Sequence, residues 1–241
     1  LSNVDDVQLP PFNLSGAGVN VGVWEATEPA TNGFGIRNTH EDLTPRVTVE
    51  EASNFSNHAT HVAGTIAASG VNTPAAEGMA PAANLASYGS AGAANEMTLA
   101  AQSPGGAGDP LPIAISNHSY GFGLGWNGNG TTFGSQAAFG TYTNASVALD
   151  NVIVATDLIA VKSAGNHRND AGNPAVGPRD CTQGGFAVDA DCIGPQGTTK
   201  NLITVGAMNG ANQIAGFSSF GPTDDGRIKP DLMAQGVGVT S

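Results

Sequence analysis

Positive charge is the scarcest commodity in this sequence. Eight Lys and Arg stand against 20 Asp and Glu in 241 residues, a formal net charge of −12. Nucleic acids and anionic membrane surfaces are bound through a basic footprint, so neither is expected as a partner. Charge of either sign is also low, at 12%, against 40% hydrophobic residues. That is too little charge for a disordered acidic tail and enough apolar content for a sizeable core. No apolar run approaches the roughly 18–20 residues of a membrane span. The opening LSNVDDVQLPP has no initiator methionine, no basic n-region and no apolar h-region. It reads as a processed or excised start, with any signal peptide already removed.

Cysteine is nearly absent as well. Cys181 and Cys192 are the only two, too few for a zinc site. They bracket the polar stretch CTQGGFAVDADC, which suits a local disulfide; two free thiols or an inert core pair are the alternatives. Glycine, at 34 residues, is abundant. A Gly-rich, polar, weakly charged composition suits a secreted enzyme with many tight loops.

There is no internal repeat and no clear linker. Apolar runs alternate with Ala-rich stretches. Strands are expected at Val19–Trp24, at Leu85–Tyr88, just after Pro112–Ile115, at Ile159–Ser163 and at Leu202–Val205. Helical composition occupies His58–Ser69, Glu96–Gln102 and Gln136–Ile153. Strands without polar alternation, separated by helices, imply an α/β fold: a parallel sheet covered by helices on both faces. Ligands in such sheets sit at the carboxyl ends of the strands. Glu25 follows the run VNVGVW, Asn166 follows IAVKSAG, and His58 opens a helix. A carboxylate, a histidine and an amide donor at strand and helix ends are the parts of an acyl-transfer site.

At these residues the sequence resembles the subtilisin-like serine proteases. NHATHVAGTIAASG at 57–70 is similar to that family's H-G-T-H-V-A-G-T motif. GMAPAANL at 78–85, KSAGNH at 162–167 and FSSFGPTDDGRIKPDLMAQGVGV at 217–239 resemble further blocks in the family's order, so that the likeness runs over roughly residues 15–241. It implies a three-layer fold, with 1–241 forming a peptidase domain incomplete at its C-terminal end. It implies a secreted endopeptidase working through a Ser-His-acid triad. His58 matches the general base and Asn166 the oxyanion donor. Ser119, Tyr120 and Gly121 match the strand that pairs with the substrate backbone, and Ser163, Ala164 and Gly165 the opposite wall of the pocket. Pairing of that kind is strand augmentation.

Two positions depart from the family pattern. The first strand normally ends in Asp, and here it ends Trp24-Glu25-Ala26-Thr27. Glu25 takes the matching place, with Glu28 and Asp42 as rival carboxylates. The family's G-T-S-M-A segment, which carries the nucleophile, does not occur. A nicked protease with a companion C-terminal chain, a fragment, and a natural pseudoenzyme that binds peptides are the three explanations.

Other features take bland readings. His58 and His61 form HxxH without the Glu or the further ligands of a zinc site, so no metal is assigned. His61, His40 and His118 read as structural or surface residues. His167 flanks Asn166. Trp126, in the Gly-rich stretch 121–132, either meets substrate or caps a core edge. Sequons begin at Asn13, Asn54, Asn117, Asn129 and Asn144. No cofactor is required by the resemblance. Calcium is a structural ion that such enzymes often carry, and Asp180, Asp189 and Asp191 are acidic residues for it, without EF-hand spacing.

Overall fold

The structure is a computed structural model describing residues 4–121, 124, 138–168 and 192–241. Cys181, Trp126, Asn129, Asp180, Asp189 and Asp191 lie outside the described residues. The chain packs into two compact units. The first holds 1–119, 154–160 and 239–241; the second holds 120–153 and 161–238.

The first unit opens with the short helix α1 (Asp5–Gln8) and the strand β1 (Asn20–Glu25). Then come β2 (Gly33–Gly35), β3 (Val47–Val49) and β4 (Asn54–Phe55). Helix α2 (Asn57–Ala67), β5 (Asn84–Gly89), α3 (Ala93–Ala101) and β6 (Ile115–His118) complete it. Four of its strands run parallel in the order β3-β5-β1-β6. The pair β2-β4 forms a separate two-stranded ribbon.

Strand parity decides which residues of β1 face which helix. Val21 and Val23 point to one face and form a core with Ala59, Ala63 and Ala67 of α2. Those alanines recur at helical spacing, and their small size lets the helix lie close to the sheet. Trp24 points the other way and donates from Nε1 to Oε2 of Glu96 on α3, at 2.8 Å. Helices therefore cover both faces of β1, as the unbroken apolar run requires. Trp24 stacks on Tyr88 (centroids 4.4 Å apart) and on His118 (5.1 Å). These are its register partners in β5 and β6, so three rings form one cross-strand ladder. Gly22 makes room for it, because a Cβ there would sit 2.3 Å from the indole.

The second unit contains α4 (Asn144–Thr156, whose residues 154–156 belong to the first unit) and β7 (Ile159–Ser163), of which Val161 onward belongs here. Strands β8 (Ile203–Met208) and β9 (Leu232–Gln235) follow. They too run parallel, in the order β7-β8-β9. Helix α4 begins later than the composition of Gln136–Ile153 suggests. Gly140 has φ of +69°, a left-handed conformation that interrupts any helix. Four strands, β2, β3, β4 and β9, were not expected from the sequence. Among the described residues no helix is long and apolar enough to cross a membrane.

Candidate active site

Glu25 is the last residue of β1, rather than the first after it. It shares the parity of Val21 and Val23, so its side chain emerges on the α2 face. Helix α2 begins beside it. Ser56 caps that helix by accepting from the Ala59 N–H at 3.0 Å, one of the otherwise unsatisfied donors of a first turn. Glu28 accepts from the Asn57 N–H at 2.6 Å. With the helix start fixed in this way, His58 falls in the first turn, one residue off the buried alanine stripe. Its Nδ1 lies 2.8 Å from Oε2 of Glu25.

The two partners sit in different surroundings. Glu25 is 2% exposed, whereas the His58 side chain is 55% exposed. The hydrogen bond that His58 donates to Glu25 raises the His58 pKa above its ordinary value. Partial burial opposes that rise, and the charges of Glu25 and Glu28 add to it. A buried carboxylate on Nδ1 fixes which imidazole nitrogen carries the proton and leaves Nε2 available on the open side. The rival carboxylates are engaged elsewhere. Glu28 is held below the usual range by Ser56 and by the Asn57 and His58 backbone. Asp42 accepts from the Val71 N–H at 2.7 Å and the Ser69 hydroxyl at 3.1 Å.

Beneath β1, on the α3 face, Glu96 has its pKa pushed up to about 7. Burial is the main cause, and the neighbouring Glu51 adds to it against the Trp24 hydrogen bond. Glu51 in turn accepts from the Gly89 N–H at 2.8 Å. This layer escaped the sequence reading, since neither Glu50-Glu51 nor Glu96 lies in a recognisable motif. His118 is fully buried in the ring ladder, with Nε2 3.1 Å from the Ser116 hydroxyl. His61 is exposed and lies with Nε2 3.2 Å from the Val239 carbonyl.

Asn166 belongs to the second unit and is exposed. It follows Gly165, whose φ of +104° turns the chain out of β7. The turn is anchored from the FSSF segment. Ser219 accepts from the His167 N–H through its hydroxyl at 3.0 Å and donates its own N–H to the Gly165 carbonyl at 2.9 Å. Ala164 is buried, and its N–H reaches the Val205 carbonyl at 2.8 Å. Ser163 ends β7 and is exposed. In the same unit the buried Lys162 donates to the Tyr120 carbonyl and lies 4.7 Å from the centroid of the Tyr120 ring. Lysine was not expected to be buried there. Gly121 is exposed, and Ser119, in the first unit, accepts from Asn117 at 3.0 Å. The structure thus brings Glu25 and His58 together in one unit, while Tyr120, Gly121 and Ser163–Asn166 lie in the other.

Among the described residues no cluster of three or more His, Cys, Asp or Glu could hold a metal ion. Cys192 is fully buried beside Leu124 and Phe139.

The first unit thus carries a buried acid on the histidine of α2, at the end of β1, an inner strand of a parallel α/β core. The chain belongs to the Subtilase family, whose profile matches residues 30–241. It is similar to the serine protease AprX of Bacillus subtilis (strain 168), at 38% identity over 65 residues. That match covers 24% of this chain and 15% of the relative. It is also similar to the uncharacterized protein aq_aa18 of Aquifex aeolicus (strain VF5), 46% identical over 55 residues, or 19% of this chain and 25% of the relative. The matched stretches thus span a quarter or less of those relatives. Among solved structures, MycP1 with its N-terminal propeptide removed shares the fold at a TM-score of 0.59 and 20% identity, covering 97% of this chain and 68% of that one. The prenylagaramide maturation protease PagA does so at 0.54 and 16%, covering 90% and 63%.

Proposed function

We propose that this chain is the larger part of a secreted serine endopeptidase. The observation that carries the reading is the 2.8 Å contact between His58 Nδ1 and the buried Glu25 carboxylate. In this mechanism His58 Nε2 takes the proton of a serine hydroxyl as that oxygen attacks the peptide carbonyl. His58 then returns the proton to the leaving amine. Glu25 holds the imidazole in the required tautomer and stabilises the imidazolium. Asn166 donates to the tetrahedral oxyanion. In subtilisin, where loss of such a donor has been measured, it costs about 10²–10³ in kcat. Ser119, Tyr120 and Gly121 pair with the substrate backbone, and Ser163, Ala164 and Gly165 form the facing wall. The substrate is a protein or peptide, and the chemistry uses side chains without a cofactor. Secretion is supported by the Gly-rich, weakly charged composition. The nucleophile belongs to a companion segment with a G-T-S-M-A-type sequence, which these 241 residues lack. A second reading is a peptide-binding protein without turnover, in which Ser119, Tyr120 and Gly121 pair with the peptide and no proton is moved.

Reconstitution tests both readings. The 241-residue chain, alone and mixed with the companion polypeptide, is assayed on an internally quenched peptide. Only the mixture should cleave it, and a serine-directed phosphonylating reagent should stop it. Turnover by the chain alone, or undiminished turnover by a His58→Ala mixture, would sink the mechanism. Binding without turnover in the mixture would establish the second reading.

A Cys181–Cys192 disulfide is part of the same proposal, supported by the lack of any free cysteine among the described residues. Colorimetric titration of the denatured, unreduced protein should find no thiol, and two after reduction. Two thiols before reduction would reject the bridge.

A further inference from the structure

The acidic layer on the α3 face of β1 meets the end of that strand at two points, and the mechanism above uses neither. Trp24, the residue before Glu25, donates from Nε1 to Oε2 of Glu96 at 2.8 Å. Gly89, the register partner of Glu25 in β5, donates its backbone N–H to Oε2 of Glu51 at 2.8 Å. The next amide, that of Ser90, donates to the Glu25 carbonyl at 2.8 Å. The Glu51 and Glu96 carboxyl groups are hydrogen-bonded to each other. The chain Trp24, Glu96, Glu51, Gly89 therefore ties the side chain before Glu25 to the backbone beside it. All four residues belong to the first unit.

Elementary chemistry sets the state of that chain. Ionised carboxylates only accept, so a hydrogen bond between two of them requires a proton on one. Among the described residues neither Glu51 nor Glu96 forms an ion pair with a cation. Both are half-buried. Glu96 is the member that holds the proton: burial pushes its pKa up to about 7, and Glu51 adds to the rise. The other ionisable groups around the pair come from three elements. On β5, the Tyr88 hydroxyl is buried without a partner, and burial with the charges of Glu50, Glu51 and Glu96 pushes its pKa well up, so it stays neutral. Glu50, beside Glu51, accepts from the Leu111 N–H at 2.8 Å. On β6, His118 stacks on the Trp24 ring. Glu25 and His58 meet on the opposite face of β1.

We infer that Glu51 and Glu96 are positioning residues for Glu25: one proton shared between their carboxyl groups locks the end of β1 to β5, and loss of that proton opens the lock. The inference rests on the endopeptidase reading for the role given to Glu25. Deprotonation sets two negative charges against each other in a half-buried place, so the contact breaks and the end of β1 loosens. NMR on the 241-residue chain follows this without turnover. The Trp24 indole N–H, the Gly89 amide and the Glu25 amide should titrate together, with one midpoint near pH 7.

Glu96→Gln imitates the protonated carboxyl at every pH, because its amide accepts from Trp24 and donates to Glu51. The common step should vanish in it. Its melting temperature should gain on that of the wild type as pH rises through 7, since a carboxyl whose pKa is raised on folding contributes less stability as pH passes through that value. Glu51→Gln removes the neighbouring charge and should move the step to lower pH. In the completed enzyme, kcat/KM of the wild type should fall about fivefold on the alkaline side, because even a small misplacement of an orienting group costs rate, and Glu96→Gln should lack that fall. A step that survives in Glu96→Gln belongs to His118 or His58 and overturns the shared proton. Separate midpoints for Trp24 and Gly89 overturn the lock. An unmoved Glu25 amide, or equal alkaline limbs in the two enzymes, overturns the positioning role. If the completed enzyme cleaves nothing, the endopeptidase reading falls and the role of Glu25 with it, while the three signals still decide on the lock.

Discussion

Turnover of the completed enzyme should fall by about 10⁴ when Glu25 is replaced by glutamine, with KM little changed. That scale is the one measured for the orienting acid in trypsin- and subtilisin-type triads, and it is carried over here as a magnitude. The physical cause is local. Glutamine keeps the length and volume of the side chain, but it presents one oxygen and one NH₂ to His58 Nδ1. It stabilises no positive imidazolium, and its amide group can favour the wrong tautomer. The pH profile separates this from general damage. His58 accepts a proton only when neutral, and the Glu25 hydrogen bond raises its pKa above 6.5. The acid limb of kcat/KM in the wild type should therefore lie above pH 6.5. In Glu25→Gln that hydrogen bond and charge are gone and the opposing effect of burial remains, so the limb should move to lower pH.

The same pair links pH to stability. A histidine whose pKa is higher folded than unfolded stabilises the fold fully below its unfolded value, and this contribution fades as pH rises through the folded value. Glu25→Gln should consequently lower the melting temperature more at pH 6 than at pH 9. A variant with full activity and an unmoved acid limb would remove Glu25 from the site. In that case Glu28 or Asp42 would have to act, although both are engaged with other groups.

The pair is legible in the sequence through the likeness of NHATHVAGT to the family motif and through the acid that closes the run VNVGVW, and the periodicities seen in the structure agree with it. Glu25 sits two residues beyond Val23 and four beyond Val21, so one alternation rule places all three on the helix-covered face. His58 precedes Ala59, Ala63 and Ala67, whose spacing defines the buried stripe of α2. A long, almost uniformly buried run such as β1 announces itself, and β7 does so through the unbroken apolar run 158–161 at its start. The missed strands are two to four residues long, and β9 is only half-buried along its length. They exist because neighbours pair with them rather than because their own composition demands it. Lys162 shows a further limit. Parity places position 162 inside, but the choice of lysine there follows from a carbonyl, that of Tyr120, 42 residues earlier in the chain. The ring ladder of Tyr88, Trp24 and His118 depends in the same way on the register of three strands.

In the second unit the largest loss of stability is expected from Asp150→Ala. Asp150 is buried on α4 and collects four donors. The Tyr142 hydroxyl reaches it at 2.6 Å, the Asn201 N–H at 2.7 Å, the Asn201 side-chain amide at 2.8 Å and the Lys200 N–H at 3.1 Å. It thereby ties α4 to the loop that leads into β8. Alanine would leave two backbone N–H groups and a hydroxyl without their acceptor in a largely dry site. At about 1–3 kcal/mol for each buried group left unsatisfied, with partial relief by water, a loss of about 3 kcal/mol is expected. For a chain of this length that corresponds to a fall of about 6–12 °C in Tm. Acid should erase the difference. Burial pushes the Asp150 carboxyl up, but the hydrogen bonds from Tyr142, Asn201 and Lys200 together outweigh it and hold the group below its ordinary value. A depressed carboxyl contributes its stability above the unfolded pKa, near 3.8, and loses it as pH falls through the folded one. Melting curves of wild type and Asp150→Ala should be well separated at pH 7 and draw together as the pH falls below about 4. A separation that persists undiminished into acid would mean that packing of the side chain, rather than its charge, holds α4 in place.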